Sequence, residues 1–202
     1  KKPVNWSCEN FEERNQRAWR QIDEKLAEYR ESGKLSFEIH KAVPSEAIDV
    51  ARVLTETWKA AYRDIIPPEA LKKYTDLGAR KERIESSISS GEKKFFLALS
   101  RGQPCGVASF GPSRDAVREG YGEIYAIYAL EEHWGKGVGQ RLMDFALSEL
   151  SRLGYKRVFL WVLEKNTRAR RFYEKCGFTF DGTVRESGFE GDAAVARYER
   201  AI

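Results

Sequence analysis

Cysteine is scarce in this 202-residue chain. Cys8, Cys105 and Cys176 are the three present, and they show no metal-ligand spacing. An odd, sparse count argues against a disulfide framework and for reduced thiols in a cytosol-like compartment. Long apolar runs are missing too. No stretch reaches the length of a membrane span, and no secretory leader is visible. The chain begins at Lys1 rather than Met, so that reading covers these residues alone. One-sided charge is also absent. Thirty-five Lys and Arg against 31 Asp and Glu leave a net charge of +4. That permits anionic ligands without arguing for nucleic acid. What is present, 42% hydrophobic and 33% charged residues, suits a soluble globular protein with a sizeable core.

The chain is organised around Glu123 to Gly139, EIYAIYALEEHWGKGVG. Ile124 to Leu130 is almost wholly apolar and reads as a buried central strand. A glycine loop follows, and helical periodicity starts at Gln140 and stops at Gly154. Strand, glycine loop and helix together are a recurrent phosphate holder. The backbone can turn back on the ligand, and the first helical turn offers free N–H groups at the positive end of the helix dipole. Two nucleotide motifs are excluded. Lys136 lies between two glycines instead of preceding Ser or Thr, so there is no Walker A loop. Counting from Gly135, Gln140 takes the last position of a dinucleotide fingerprint. The ligand carries phosphates but is not expected to be ATP or NAD.

A second strand, Tyr155 to Leu163, leads into NTRARRFYEKCGF, with Asn166, Ala169, Phe172, Tyr173, Gly177 and Phe178 at fixed offsets. With both segments in this order, the chain resembles the GNAT superfamily of N-acetyltransferases. That family carries a Q/R-x-x-G-x-G/A loop and an N-x-x-A-x-x-F-Y-x-x-x-G-F segment. Trp134 occupies the Gln/Arg position, a departure that costs a side-chain contact but leaves the backbone donors. The resemblance implies an α/β fold: a mixed, mostly antiparallel sheet with one splayed parallel pair, flanked by helices. It also implies acetyl-CoA as cosubstrate and no metal. The pantetheine arm is expected against the backbone of Ile127, Tyr128 and Ala129. The pyrophosphate is expected over Trp134, Gly135, Lys136, Gly137, Val138, Gly139 and Gln140, with His133 nearby. Asn166 matches the position that bonds the pantetheine arm. Arg168 and Arg170, within a basic run that includes Lys165, Arg171 and Lys175, suit the remaining phosphate, although a solvated helix face explains such a run equally well.

Residues 1–35 read as a helical extension before a catalytic domain over 36–202. Phe11, Ala18, Trp19, Ile22, Leu26 and Tyr29 mark its apolar stripe, with Gly33 as the stop. It suits packing on the domain, a homodimer contact or a lid. Phe37 to Ala42 reads as a strand, and Ser45 as a possible cap for the helix that follows. Pro67-Pro68 breaks that helix, and two more helical segments follow, from Glu69 and from Ala79. The pattern W-x-x-A-Y-R-x-x-I-P resembles a bacterial subgroup of the family, so Trp58, Tyr62 and Arg63 are expected to face the acceptor; Tyr125 of the central strand is a further expected acceptor contact. Phe95 to Arg101 and Cys105 to Gly111 read as a hairpin, and Pro112 to Gly120 as a polar surface loop. Phe178 to Val184 and Ala193 to Arg200 close the chain as an antiparallel pair. The acids Glu186, Glu190 and Asp192 between them suit a cationic amine or plain surface.

The chemistry implied is acyl transfer from a thioester to a primary amine, most simply that of a small molecule. Tyr173 matches the family's tyrosine that protonates the departing sulfur. A positioned acid is typically worth ~10²–10⁴ in rate. Backbone N–H of Ile127 or Tyr128 is the expected oxyanion donor. Glu123, at the start of the central strand, is the candidate base, directly or through water. His133 lies on the phosphate side. Cys176 has no histidine placed to activate it, so direct transfer is favoured over an acyl-enzyme. Two other classes share these features: a non-catalytic acyl-CoA-binding module, and an enzyme that modifies a protein or an aminoacyl-tRNA.

Overall fold

A computed structural model describes residues 37–189 and 193–202. The N-terminal extension expected over 1–35 lies outside the described residues, as do Glu190 and Asp192. Among the described residues, seven strands form one sheet: β1 (Glu38–Lys41), β2 (Phe95–Ser100), β3 (Gln103–Pro112), β4 (Gly122–Ala129), β5 (Arg157–Leu163), β6 (Thr179–Glu186) and β7 (Ala194–Ala201). Their spatial order is β1-β2-β3-β4-β5-β7-β6. Every neighbouring pair is antiparallel except β4 and β5. Helices α1 (Ala47–Tyr62), α2 (Pro68–Tyr74) and α3 (Leu77–Ser90) precede β2. Helix α4 (Val138–Arg152) joins β4 to β5, and α5 (Thr167–Lys175) joins β5 to β6.

The two faces of the sheet are covered separately. One core cluster holds Phe96, Phe110, Ile124 and Val158 against Leu142, Met143 and Leu150 of α4. Another sets Val50, Val53 and Leu54 of α1 with Ile84 of α3 against Leu97 and Val107. A third lies under β5 and β7, where Tyr62, Ile66 and Leu71 meet Leu163 and Val195. The helix stops follow the sequence. Pro67 and Pro68 separate α1 from α2, and Asp76 caps α3 by accepting from the Ala79 N–H at 2.7 Å. Ser45 is not the cap of α1. Instead Glu46 closes a short turn by accepting from the Val43 N–H at 2.9 Å.

Two features aim this frame at one place. Helix α4 sits very close to β3: a Cβ on Gly106 would come within 2.8 Å of Val138 and 2.9 Å of Leu142. The absence of that side chain lets the first turn of α4 lie directly on the sheet. The β4–β5 ladder is also short. It pairs Gly122 with Val158, Glu123 with Phe159 and Ile124 with Leu160, and no further. Beyond that point the strands separate. The register between β3 and β4 shifts here too: Ser109 opposes Ala126 while Phe110 opposes Ile124, leaving Tyr125 as the extra residue of a bulge.

Candidate active site

The gap between β4 and β5 opens into a cavity of about 1010 Å³. Its walls come from α1, the β3–β4 loop, both diverging strands, the glycine loop, α5 and the end of β6. That volume lies at the upper end of small-ligand pockets.

One end of the cavity is made by backbone. Gly135 and Gly137 adopt positive φ, 73° and 90°, which folds the loop back under the helix start. Gly137 is the N-cap of α4 and supplies no side-chain bond there. The first bond back into the loop runs from the Arg141 N–H to the Gly137 carbonyl. The N–H groups of Val138, Gly139 and Gln140 therefore have no acceptor within the helix. Free N–H groups at the positive end of a helix dipole suit an anion, which makes this turn a candidate anion seat.

The open edge of β4 is selective. Leu130 donates to the Cys105 carbonyl of β3 at 3.0 Å. Backbone groups alternate sides along a strand, so Tyr128 also points its N–H and C=O at β3. Ile127 and Ala129 point theirs into the gap. Tyr128 therefore differs from the expectation of a backbone contact: it enters the site through its ring. The Ala129 carbonyl is already used, since the Trp134 indole N–H donates to it at 2.8 Å. Arg168 lies 3.1 Å above the same indole ring. Trp134, which replaces the polar residue of the motif, thus ties the glycine loop to the strand end and to α5.

A family model, the acetyltransferase (GNAT) family, matches residues 53–178. The chain belongs to this family. An uncharacterized N-acetyltransferase of Bacillus subtilis, YuaI, is 35% identical over 130 residues, 63% of this chain and 72% of the relative. A probable N-acetyltransferase of Mycobacterium tuberculosis is 32% identical over 148 residues, 71% of this chain and 80% of that one. The crystal structure of the PaiA N-acetyltransferase of Thermoplasma acidophilum in complex with coenzyme A superposes with a TM-score of 0.68. It covers 82% of this chain and 100% of its own at 20% identity, and so speaks for the fold.

Set in the GNAT frame, the side chains named from the sequence part into two groups. Tyr173 lines the cavity, packed between Phe172 and Phe178 at ring distances of 5.3 and 6.2 Å. Burial pushes its phenol well above the ordinary tyrosine range, so the proton stays on. Tyr62 and Tyr128 also line the cavity and share a hydrogen bond, 3.0 Å between their hydroxyls. Burial raises both phenols as well. Trp58 stands edge-on to Tyr62 at 5.1 Å and to Phe189 at 5.4 Å. Beneath it the buried Arg80 guanidinium lies 4.8 Å from the ring and donates to the Tyr74 carbonyl. Asn166 lines the cavity while its oxygen caps α5, accepting from the Ala169 N–H at 3.1 Å. Its amide nitrogen is the part left to donate. Gln140 reaches the wall too, but its amide is engaged by Asp144 at 2.8 Å. His133 also lies on the wall.

The others point elsewhere, and each for a visible reason. Arg63 pairs with Glu131 at 2.5 Å on the surface and is not on the cavity wall. Arg170 turns to the sheet, donating to the Tyr198 hydroxyl at 2.9 Å and the Glu164 carbonyl at 3.2 Å. Lys136 sits beside a smaller cleft with Phe37 and Glu38. Glu123 is 3% exposed and is not on the wall. It accepts from the Arg114 backbone N–H at 2.8 Å and from the Arg114 guanidinium at 2.5 Å. Its oxygens face Arg114 rather than the cavity, which departs from the role expected of it. Burial pushes the Cys176 thiol up to about 11, so it is not a ready nucleophile. Among the described residues, no group of three or more His, Cys, Asp or Glu is placed to hold a metal ion. No described helix is long and apolar enough to cross a membrane.

Sequence reasoning missed Arg114, Trp161 and Arg185, all on the cavity wall. The loop carrying Arg114 read as polar surface. It is clamped instead: Arg118 bonds Asp181 at 2.7 Å and Glu199 at 3.0 Å, and Arg197 bonds Asp181 at 2.6 Å and Asp115 at 3.4 Å. Alternating charge between Asp115, Arg118, Asp181 and Arg197 was the available signal, but only the fold brings those positions together.

Proposed function

We propose that this chain transfers the acetyl group of acetyl-CoA directly to a primary amine of a small molecule. The observation that carries this is a single cavity joining the α4 anion seat, through the open β4 edge, to an aromatic chamber, with the protonated Tyr173 on its wall. The cosubstrate supplies a thioester already activated for attack, and the residues position it. The N–H groups of Val138, Gly139 and Gln140 take the pyrophosphate. Ile127, with the amide of Asn166, takes the pantetheine amides. Arg168, steadied on Trp134, adds a cation above the loop. The Ile127 N–H, aimed into the gap, donates to the acetyl oxygen as charge develops there. Tyr173 gives its proton to the departing sulfur.

The amine's proton has no buried carboxylate to receive it among the described residues, because Glu123 is occupied by Arg114. The amine therefore reacts as the free base, and its proton leaves to water. Two unpaired cysteines, Cys105 and Cys176, fit a reducing compartment such as the cytoplasm.

Free-thiol release with acetyl-CoA, measured over polyamines, amino acids, aminoglycosides and lysine peptides, tests this reading. One small-molecule class is expected to turn over. Its kcat/KM should rise with pH up to the acceptor's own amine pKa and move with that pKa from one acceptor to the next. Turnover confined to the peptides would replace the small-molecule acceptor with a protein. A pH profile fixed at one value for all acceptors would restore an enzymic base.

A further inference from the structure

The acceptor end of the cavity carries two guanidinium–aromatic stacks, one on each lip of the splay. On one, the guanidinium of Arg114, from the β3–β4 loop, lies 4.1 Å from the Tyr125 ring of β4. On the other, the guanidinium of Arg185, from β6, lies 3.9 Å from the Trp161 ring of β5. Tyr125 and Trp161 directly follow Ile124 and Leu160, the last pair before the strands part. Both stacks therefore stand at the base of the gap, and all four residues line the cavity.

The polar groups here are incompletely used. Arg114 spends its Nε and one terminal nitrogen on Glu123, leaving the other terminal nitrogen to donate. Its side chain remains 55% exposed while its partner is 3% exposed, so the buried acid orients a fork whose free side faces outward. Arg185 has no carboxylate within ion-pair distance among the described residues; its recorded partner is the indole face. The ion-pair clamp on the β3–β4 loop and the Tyr125 hydroxyl bond to the Pro112 carbonyl at 2.5 Å fix Arg114 in place beforehand. Glu186, exposed at the rim, is the described carboxylate on this wall.

Two guanidinium donors around an aromatic chamber describe a receptor for an anion on an apolar body. Resting on the acetyltransferase reading above, we infer that the acceptor carries a carboxylate near its amine, read by Arg114 and Arg185. Its apolar part lies among Trp58, Tyr62 and Phe189. A planar carboxylate suits guanidinium donors, which bind it in pairs. This places the acceptor among amino-acid-like molecules with an apolar or aromatic side chain, and away from polyamines.

The test uses matched probes: L-phenylalanine, L-phenylalaninamide, phenethylamine and spermidine, each with acetyl-CoA. Thiol release by wild type and Arg185→Met is measured, and binding of each probe to the protein–CoA complex is followed by calorimetry. The acid should be preferred over its amide by about 10–100-fold in kcat/KM or Kd, the usual size of a charge-assisted contact. Arg185→Met should collapse that preference, lowering the acid far more than phenethylamine. Arg114→Lys, which keeps a cation beside Glu123, should lower it partly. If no probe turns over but the acid still binds preferentially and Arg185→Met abolishes this, the subsite stands and the catalytic reading falls. Equal handling of acid and amide, or preference for spermidine, would overturn the inference. So would no detectable binding or turnover of any probe.

Discussion

The two ends of the cavity are built from different materials. The end that would hold the CoA phosphates is mostly backbone: a loop with two positive-φ glycines and the first turn of α4. The acceptor end is mostly side chains, drawn from α1, the β3–β4 loop, β4, β5 and the β6–β7 region. Backbone sites are cheap to specify, since a few glycines at fixed spacing suffice. Side-chain sites need every contributing element in place, and each element supplies one or two residues. The first kind can therefore be read from one contiguous stretch of sequence, and the second cannot.

Tyr173 stands where the two ends meet, and its loss should be the largest effect. Tyr173→Phe is expected to lower kcat by about 10²–10⁴ while CoA affinity, by calorimetry, stays within a few-fold. A loss of CoA affinity in step with kcat would mean that Tyr173 belongs to the binding end alone.

Trp134 separates backbone from side chain inside the phosphate end. Removing the ring in Trp134→Ala should raise the CoA Kd by roughly 10-fold, through the lost arginine stack and indole bond. Trp134→Phe keeps a ring under Arg168 and gives up the 2.8 Å bond to Ala129, so it should fall between. Equal CoA affinity in all three proteins would leave the backbone holding the ligand unaided.

The acceptor end has its own signature in alkali. Burial raises the phenols of Tyr62, Tyr128 and Tyr173, and pushes that of Tyr125 up to about 12. A group whose pKa is higher folded than unfolded stabilises the fold fully below its unfolded pKa. That contribution drains away as pH rises through the folded value. For Tyr125 the window runs from about 10 to about 12. Melting temperature should fall across it, with phenolate absorbance appearing together with unfolding. Phenolate signal growing well before unfolding would show these rings to be wetter than the structure has them. The smallest effect is expected at Arg63. Its partner Glu131 is also exposed, so Arg63→Ala should cost under about 0.5 kcal/mol in stability and leave kcat/KM unchanged.

The same division explains what could be read in advance. Strands, helices and their order follow from periodicity and from Pro67-Pro68, Gly102 and Gly154, and the structure differs by a residue or two at most ends. The phosphate loop was legible because its signal is contiguous. Arg63 and Arg170 were misdirected because a sequence shows that a residue is cationic but not which carboxylate or carbonyl lies nearer. Tyr128 was named for its backbone, and strand alternation, invisible until the β3 partner is known, gives that backbone to Val107. Glu123 was rightly seen as unusual at a strand start. Its reason is Arg114, nine residues earlier, across a loop whose path only tertiary ion pairs define. Arg185 and Trp161 gave no local sign, being 24 residues apart and joined through β7.

The short β4–β5 ladder has one more consequence. Only three residue pairs join the two halves of the sheet across it, and past them two strand edges face each other with unspent backbone groups. An extended ligand laid between them works as an added strand. Occupancy then bears on the integrity of the whole protein as well as on turnover. At 100 times its Kd such a ligand adds about 2.7 kcal/mol to the folded state. The protein's lifetime against proteolysis should thus follow the supply of its own cosubstrate, so that a cell short of acyl thioester would also hold less of the enzyme.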